Sequence, residues 1–377
     1  MFIFELFIAV YLLWRGIMPL GLKYYWKLLI ALIILPAAFK FHLLFLIGGG
    51  NYFSPELPKW LLLGGAWAFS GVFILFFLLL LLDIVRLIMF CLRHIKKSSQ
   101  PKFSPGQTNC IHAIIFLTAL LLCSIGIYYG TSLPEVKSIN ISSNQTDWPS
   151  QPLKIVLLAD IHADNTNRAE RISEIVRRTN ALQADLILLA GDFVDGPVAK
   201  HGVDLEPLSN LKAQYGVFGV PGNHEYYSGY SEWMNFFDTI GVKILQNSNH
   251  LLSELKLAII GVTDPNAKRF HQSEPNFVQA TNSIPSDYYK IAVVHQPKLA
   301  QEAADAGVDL QLSGHTHGGS IILFDKIVAR YNCGYVSGLY QVDKMQLYVS
   351  NGSGIWGGFP IRLGVPSEIT LITLSSN

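Results

Sequence analysis

Four apolar tracts come before Pro134, running approximately from Phe2 to Leu22, Leu28 to Gly48, Trp60 to Leu82 and Cys110 to Tyr129. Each is about 20 residues long, the length a helix needs to cross about 30 Å of hydrocarbon. Four such tracts in the first third of a chain are not buried helices of a water-soluble core. Residues 1–134 are therefore expected to form a transmembrane region of four helices. The chain is 50% hydrophobic and 15% charged, and this apolar excess lies mostly in that region. Glu5 and Arg15 fall within the first tract, Lys40 and His42 within the second. A charge at a bilayer centre costs several kcal/mol, so these four are expected near the interfaces or facing other helices. With no basic segment ahead of it and no small-residue cleavage site after it, the first tract reads as an anchor.

Basic residues set the expected orientation. Arg15, Lys23 and Lys27 flank the first connection, and Arg86, Arg93, Lys96, Lys97 and Lys102 cluster between the third and fourth tracts. Both connections are then cytoplasmic, and everything after the fourth tract is extracytoplasmic, in an inner or plasma membrane. The charge divides unevenly: Met1–Pro134 holds ten Lys and Arg against three Asp and Glu, and the remainder eighteen against twenty-four. A net-acidic second part lacks the basic footprint of a nucleic-acid binder. Cys333 is the single cysteine after Pro134, so no disulfide within that part informs its compartment.

Residues 135–152, with "VKSINISSNQTDWPSQP", are polar and rich in Ser and Asn, and read as a linker. From Leu153 onward the pattern turns periodic. "LKIVLLAD", "DLILLAGD" and "YGVFGVPGNHE" are apolar runs closed by polar residues, and "RAERISEIVRRTNALQA" between the first two has helical spacing. "KLAIIGVTD", "YKIAVVHQP", "LQLSGHTHGG", "MQLYVSNGSG" and "EITLITL" follow. Near-continuous Val, Ile and Leu runs separated by helices indicate strands covered on both faces. The number of strands, with hairpins toward the close, suits two packed sheets with outer helices, an α/β fold over residues 153–377.

Polar residues stand where these runs end: Asp160 with His162, Asp192, Asn223 with His224, His295, and His315 with His317. Strand carboxyl ends aim side chains into a shared crevice in α/β folds. Taken singly, each Asp is as ordinary as a cap or turn, and each His as a surface residue. Taken together, they would all have to end strands by accident. Carboxylate, imidazole and amide oxygen in one set suit manganese, iron or zinc. In an extended segment His315 and His317 would point the same way and converge on one cluster.

The ordered blocks "DIH", "GDFVD", "GNHE", "VVH" and "GHTH" resemble the signature of the calcineurin-like metallophosphoesterases. The resemblance covers roughly Leu153 to Asn377. It implies a four-layer fold, a two-sheet β-sandwich flanked by helices, with a two-metal centre between the sheets. It further implies Asp160, His162 and His317 as ligands of one ion, Asn223, His295 and His315 as ligands of the other, and Asp192 as the carboxylate shared by both. His224 matches the family's non-ligand histidine, which protonates the leaving oxygen, and Asp195 the acid that orients it. Glu225 stands where many members carry Asp, and its role is open. Two divalent ions so held, manganese foremost with iron or zinc as alternatives, can place a bridging hydroxide against a phosphoester.

The segment "VSNGSGIWGGFPIRLGVPSEITLITL" resembles the closing stretch of a membrane-associated bacterial subgroup that includes phosphodiesterases and hydrolases of the pyrophosphate bond in UDP-diacylglucosamine. Arg362 is the candidate for a substrate phosphate, since a guanidinium fork matches such oxygens, and a surface ion pair is its plain alternative. Trp356 is equally a packing residue or a lid. The expected partners are the lipid bilayer and a phosphoester, lipid-linked or otherwise close to the membrane. Two other classes stay open: a transport or signalling protein with a regulatory domain, and a metal-binding module without catalysis.

Overall fold

The computed structural model describes residues 1–50, 52, 54–96, 104–143 and 151–376. Lys97 and Lys102 of the expected cytoplasmic cluster, and residues 144–150 of the expected linker, lie outside the described residues. The chain divides into two compact units, Met1–Tyr129 with Gly358–Ile361, and Gly130–Gly357 with Arg362–Asn377.

The first unit is helical. Helix α1 (Phe2–Tyr11) runs into a π-helical turn (Leu12–Ile17), and α2 (Tyr24–Ala38), α3 (Lys40–Gly48), α4 (Lys59–Lys96) and α5 (Pro105–Thr131) follow. Among the described residues two stretches, Lys59–Ile95 and Pro105–Thr131, are long and apolar enough to cross a membrane. Helices α2 and α3 together make a third candidate, bent by 69° at a break that follows Pro36, a residue unable to donate to the preceding turn. Of the charges inside these tracts, Glu5, Arg15 and His42 face other helices. Glu5 Oε2 lies 2.5 Å from His42 Nδ1. Arg15 Nε donates to Asp83 Oδ2 at 2.6 Å, and the Tyr11 hydroxyl donates to the same oxygen at 2.8 Å. Lys40 Nζ donates to the Gly358 carbonyl at 2.7 Å.

Among the described residues the second unit carries twelve strands: β1 (Glu135–Ser143), β2 (Leu153–Leu158), β3 (Leu186–Leu189), β4 (Val217–Gly219), β5 (Lys243–Ile244), β6 (Ser248–Leu252), β7 (Leu257–Gly261), β8 (Tyr289–Val293), β9 (Leu310–Ser313), β10 (Gly338–Val342), β11 (Met345–Val349) and β12 (Glu368–Ser376). They form two six-stranded sheets, ordered β1-β12-β2-β3-β4-β5 and β10-β11-β9-β8-β7-β6. Strands β2 to β5 run parallel, as do β7, β8, β9 and β11, while β6 and β10 add antiparallel edges.

Because the central runs are apolar at nearly every position, the central strands of each sheet are buried on both faces. Ile155, Leu157, Leu186 and Leu188 meet Ile259, Ile291, Leu310 and Leu312 between the sheets. On the far side of the first sheet Val156, Leu158, Ile187 and Leu189 pack with Ile172 and Ile175 of the helix Ala169–Ala181 and with Trp233 and Phe237. On the far side of the second, Ile260, Ala292 and Leu347 pack with Ala300 and Ala303 of the helix Ala300–Asp305. Helix, sheet, sheet and helix make the four layers.

One boundary needs correction. The stretch expected as a linker opens with β1, which pairs in parallel with β12 from Glu135↔Glu368 to Ser143↔Ser376. Its side chains alternate, with Ile141 and Ser143 buried and their neighbours facing out. That is the pattern of an edge strand with one covered face, and its polar half gave it the look of a linker.

Candidate metal centre

Five parallel strands, three from one sheet and two from the other, end at the same crevice. Asp160 and His162 follow β2, Asp192 follows β3, Asn223 follows β4, His295 follows β8, and His315 and His317 follow β9. The turns that carry them are backbone-strained. Asp160, His162, Asp192, His315 and His317 all have positive φ, between 49° and 72°. Non-glycine residues seldom adopt this region, and where they cluster there the surrounding structure is holding them in place. The expectation of an extended GHTHGG segment is thereby corrected. His315 and His317 sit in a left-handed turn that leads into a short 3₁₀ segment, His317–Gly319, and they diverge.

Their divergence sorts the residues into groups whose ligand atoms lie within 4.8 Å of one another. Asp160, His162 and His317 make one, and Asp192, His295 and His315 another. His162 Nε2 is 3.2 Å from His317 Nε2, and His295 Nε2 is 3.2 Å from His315 Nδ1. Asn223 Oδ1 joins the second group, 3.2 Å from His295 Nε2. Asp192 lies between the two: its Oδ2 is 3.1 Å from His295 Nε2 and 3.8 Å from His162 Nε2. A third grouping, His162, Asp192 and His224, overlaps both.

The donor set fits a cation. His295 Nδ1 lies 2.7 Å from the Ala190 carbonyl, which accepts its N–H and so leaves the lone pair of the neutral ring on Nε2. That lone pair faces a carboxylate oxygen, an amide oxygen and another ring nitrogen at 3.1–3.2 Å. Acceptors so crowded need positive charge among them. Without a metal the proton supplies it: burial works against the charged ring, but Asp192 foremost, joined by Asp160 and Asp264, raises His295 to about 10. His315 is pushed the other way, to about 3, by burial and by the charge of His295. Burial, and then Arg362, hold His317 well below the ordinary histidine range. Both rings are thus neutral, the state in which imidazole binds metal.

His224 differs from these rings. Its Nδ1 is in hydrogen-bond contact with Asp195 Oδ1, and its Nε2 lies 3.8 Å from Asp192 Oδ2. Burial disfavours its charge, yet Asp195 and Asp192 raise it to about 10. The Tyr227 ring lies 5.3 Å from it and the Trp356 ring 6.2 Å, so aromatic surface flanks the imidazole. Asp195 also does more than its motif suggests. Its Oδ2 lies 3.1 Å from His162 Nδ1, so one carboxylate orients two histidines.

Glu225, whose role the motif left open, accepts from the main-chain nitrogens of Gly222 (2.6 Å), Phe193 (2.7 Å) and Asp192 (3.1 Å). It staples the turn bearing Asp192 to the turn bearing Asn223. No local signal in the sequence marks this, because the bonded nitrogens lie up to 33 residues away. Arg362, expected to meet a substrate phosphate, is buried. It donates to the carbonyls of His317 and Asn351, both at 2.7 Å, which makes it a positioning residue. The glycines have space reasons. A Cβ on Gly222 would lie 2.2 Å from Asp192 Oδ1, and one on Gly314 would lie 2.6 Å from Asp160 Oδ2.

A family model for the calcineurin-like phosphoesterases matches residues 153–319. An "Uncharacterized metallophosphoesterase" of Helicobacter pylori strain J99 is 35% identical over 73% of this chain and 73% of its own length. The "Uncharacterized metallophosphoesterase Cj0846" of Campylobacter jejuni is 30% identical over 81% of this chain and 79% of its own. A bovine "Transmembrane protein with metallophosphoesterase domain" is 31% identical over 70% of this chain and 62% of its own.

Proposed function

The chain belongs to the calcineurin-like metallophosphoesterases, and from that premise we propose that it hydrolyses a phosphodiester or pyrophosphate bond with a dinuclear centre, on a lipid-linked or membrane-proximal substrate. The observation that carries the two-ion reading is the placement of Asp192 between two ligand groups, 3.1 Å from the ring of one and 3.8 Å from the ring of the other. Asp160, His162 and His317 would hold one ion, Asn223, His295 and His315 the other, with Asp192 shared. Divalent manganese, iron or zinc there would supply Lewis acidity, activating water and offsetting phosphoryl charge.

The residues of this chain supply the rest. His224, kept protonated by Asp195, presents Nε2 toward the crevice and donates a proton to the leaving oxygen. Asp195 fixes that ring and the ring of His162 together, which ties the acid to the metal ligands. Glu225 and Arg362 hold the turns and leave the reacting atoms alone. The apolar helices support a membrane protein. The basic residues Arg15, Lys23 and Lys27, with Arg86 and Arg93, support an extracytoplasmic catalytic domain. Tethering favours a lipid-borne substrate, since it confines the site to a two-dimensional pool.

The test uses the full chain in lipid nanodiscs, with bis(p-nitrophenyl) phosphate as substrate and manganese, iron or zinc added in turn. Metal-dependent hydrolysis that Asp192→Asn abolishes is expected. Inactivity with all three metals would overturn the reading in favour of a regulatory or binding domain. Nucleotide-sugar lipids and phospholipids, assayed against soluble diesters, then test the substrate class.

A further inference from the structure

The segment that follows the last two site histidines carries an apolar stripe on the wrong side for a soluble domain. Ile327 and Tyr331, four residues apart on the helix Asp325–Tyr331, are 53% and 76% exposed, and Leu323 and Ile322 in the turn just before it are 76% and 63% exposed. None of the helix's residues is buried. Scattered exposed leucines need no account, but a continuous stripe does. Lys326 and Arg330, also four apart and exposed, run alongside it. Leu323 is held at φ 78°, a conformation a bulky side chain rarely takes, and its side chain points outward.

We propose that this stripe is a bilayer-contacting surface, with Ile322, Leu323, Ile327 and Tyr331 dipping among lipid headgroups and Lys326 and Arg330 meeting their phosphates. Exposed apolar residues flanked by basic ones are the pattern of an interfacial helix, which seats its apolar face about 5–10 Å into the headgroup and acyl boundary. The covalent chain supports this occupant over a soluble partner. Helix α5, apolar enough to span a membrane, ends at Thr131, and β1 begins at Glu135. Residues 132–134 can reach no more than about 10 Å, so the domain stays within reach of the bilayer.

The surface is bound tightly to the site. Gly319, at φ 80°, lies so close to the helix start that a Cβ on it would be 2.7 Å from Asp325 Cα. Ile322 N donates to the Leu363 carbonyl and Leu363 N to the Ser320 carbonyl, both at 2.9 Å, one residue from Arg362. The stripe therefore moves with the turn that carries His317. As a route by which a lipid-borne phosphoester reaches that turn it rests on the function proposed above, although the bilayer contact itself does not.

The experiment reads depth in the membrane and requires no catalysis. Spin labels are placed singly by Ile327→Cys, Tyr331→Cys and Val278→Cys in the full chain with its native cysteines replaced by serine. The chain is reconstituted into phosphatidylcholine and phosphatidylglycerol vesicles. Val278, 83% exposed, is the water-facing control. Labels at 327 and 331 are expected to be broadened by oxygen and to lose broadening by a water-soluble nickel chelate, with the opposite at 278. Chelate broadening at 327 and 331 equal to that at 278 would overturn the proposal. So would shielding from both reagents with a short label-to-label distance between chains, which would make the stripe a contact between two copies. Bilayer contact in a chain that hydrolyses no phosphoester would sink the function and leave this surface standing.

Discussion

Arg362 reaches His317 at two points: Nη1 donates to its carbonyl at 2.7 Å, and Nη2 lies 3.2 Å from its Nδ1. The guanidinium fixes the turn and, with burial, keeps the ring uncharged. Arg362→Met should weaken metal binding about 10- to 100-fold, the usual cost of losing a group that supports a ligand. Metal titration checks this. A phosphate-binding role would instead raise KM at full metal occupancy.

His224→Ala should lower kcat by about 10²- to 10⁴-fold, the contribution expected of a positioned proton donor. Metal content, measured by mass spectrometry on the same preparation, should not change. Loss of an ion instead would make His224 a ligand, as its grouping with His162 and Asp192 would permit.

Asp195 heads the groups that raise His224 to about 10. A raised histidine pKa keeps the acid charged below that value and loses it above, so kcat should fall on the alkaline side. Bound dications would draw this limb downward in any variant. Asp195→Asn removes the main raising charge, so its limb should lie at lower pH than that of the unchanged chain. Parallel pH profiles of kcat at saturating metal measure the difference.

Gly314→Ala would put a Cβ 2.6 Å from Asp160 Oδ2 and 2.7 Å from the Ala159 Cβ. Thermal unfolding should show a loss of about 1–3 kcal/mol, the usual cost of overpacking, together with reduced metal affinity. Gly64→Ala in α4 meets nothing within 4 Å and should be neutral or stabilising by up to about 1 kcal/mol.

In the membrane unit, Asp83→Leu leaves Arg15 without its carboxylate, at a cost of about 2.5–3.5 kcal/mol if it lies at bilayer depth. Arg15→Leu should cost less, because Asp83 keeps Arg86 at 3.6 Å and the Tyr11 hydroxyl at 2.8 Å. The double variant removes both charges and should recover most of the loss. Thermal stability of the four proteins in one detergent closes the cycle.

The site was legible in the sequence to the extent that it is local. Asp160, Asp192, His295 and His315 each follow an apolar run within a few residues, so strand ends could be read directly. The sequence singles out Arg362 but not its two carbonyl partners, because burial is not written in an arginine's neighbours. Glu225 and the second contact of Asp195 depend on turns brought together from different strands, and no periodicity reports that. Strand β1 was missed because half of its face is polar and its partner lies more than 200 residues away.

The pairing of β1 with β12 constrains the order of folding. Strand β1 leaves the ribosome just after α5, but its parallel partner β12 is also the antiparallel partner of β2 and comes last in chain order among the twelve described strands. Until Glu368–Ser376 has been synthesised, β1 and the free edge of β2 wait unpaired beside the membrane. Closure of the first sheet therefore waits for β12, and a nascent domain lacking β12 should be a chaperone client.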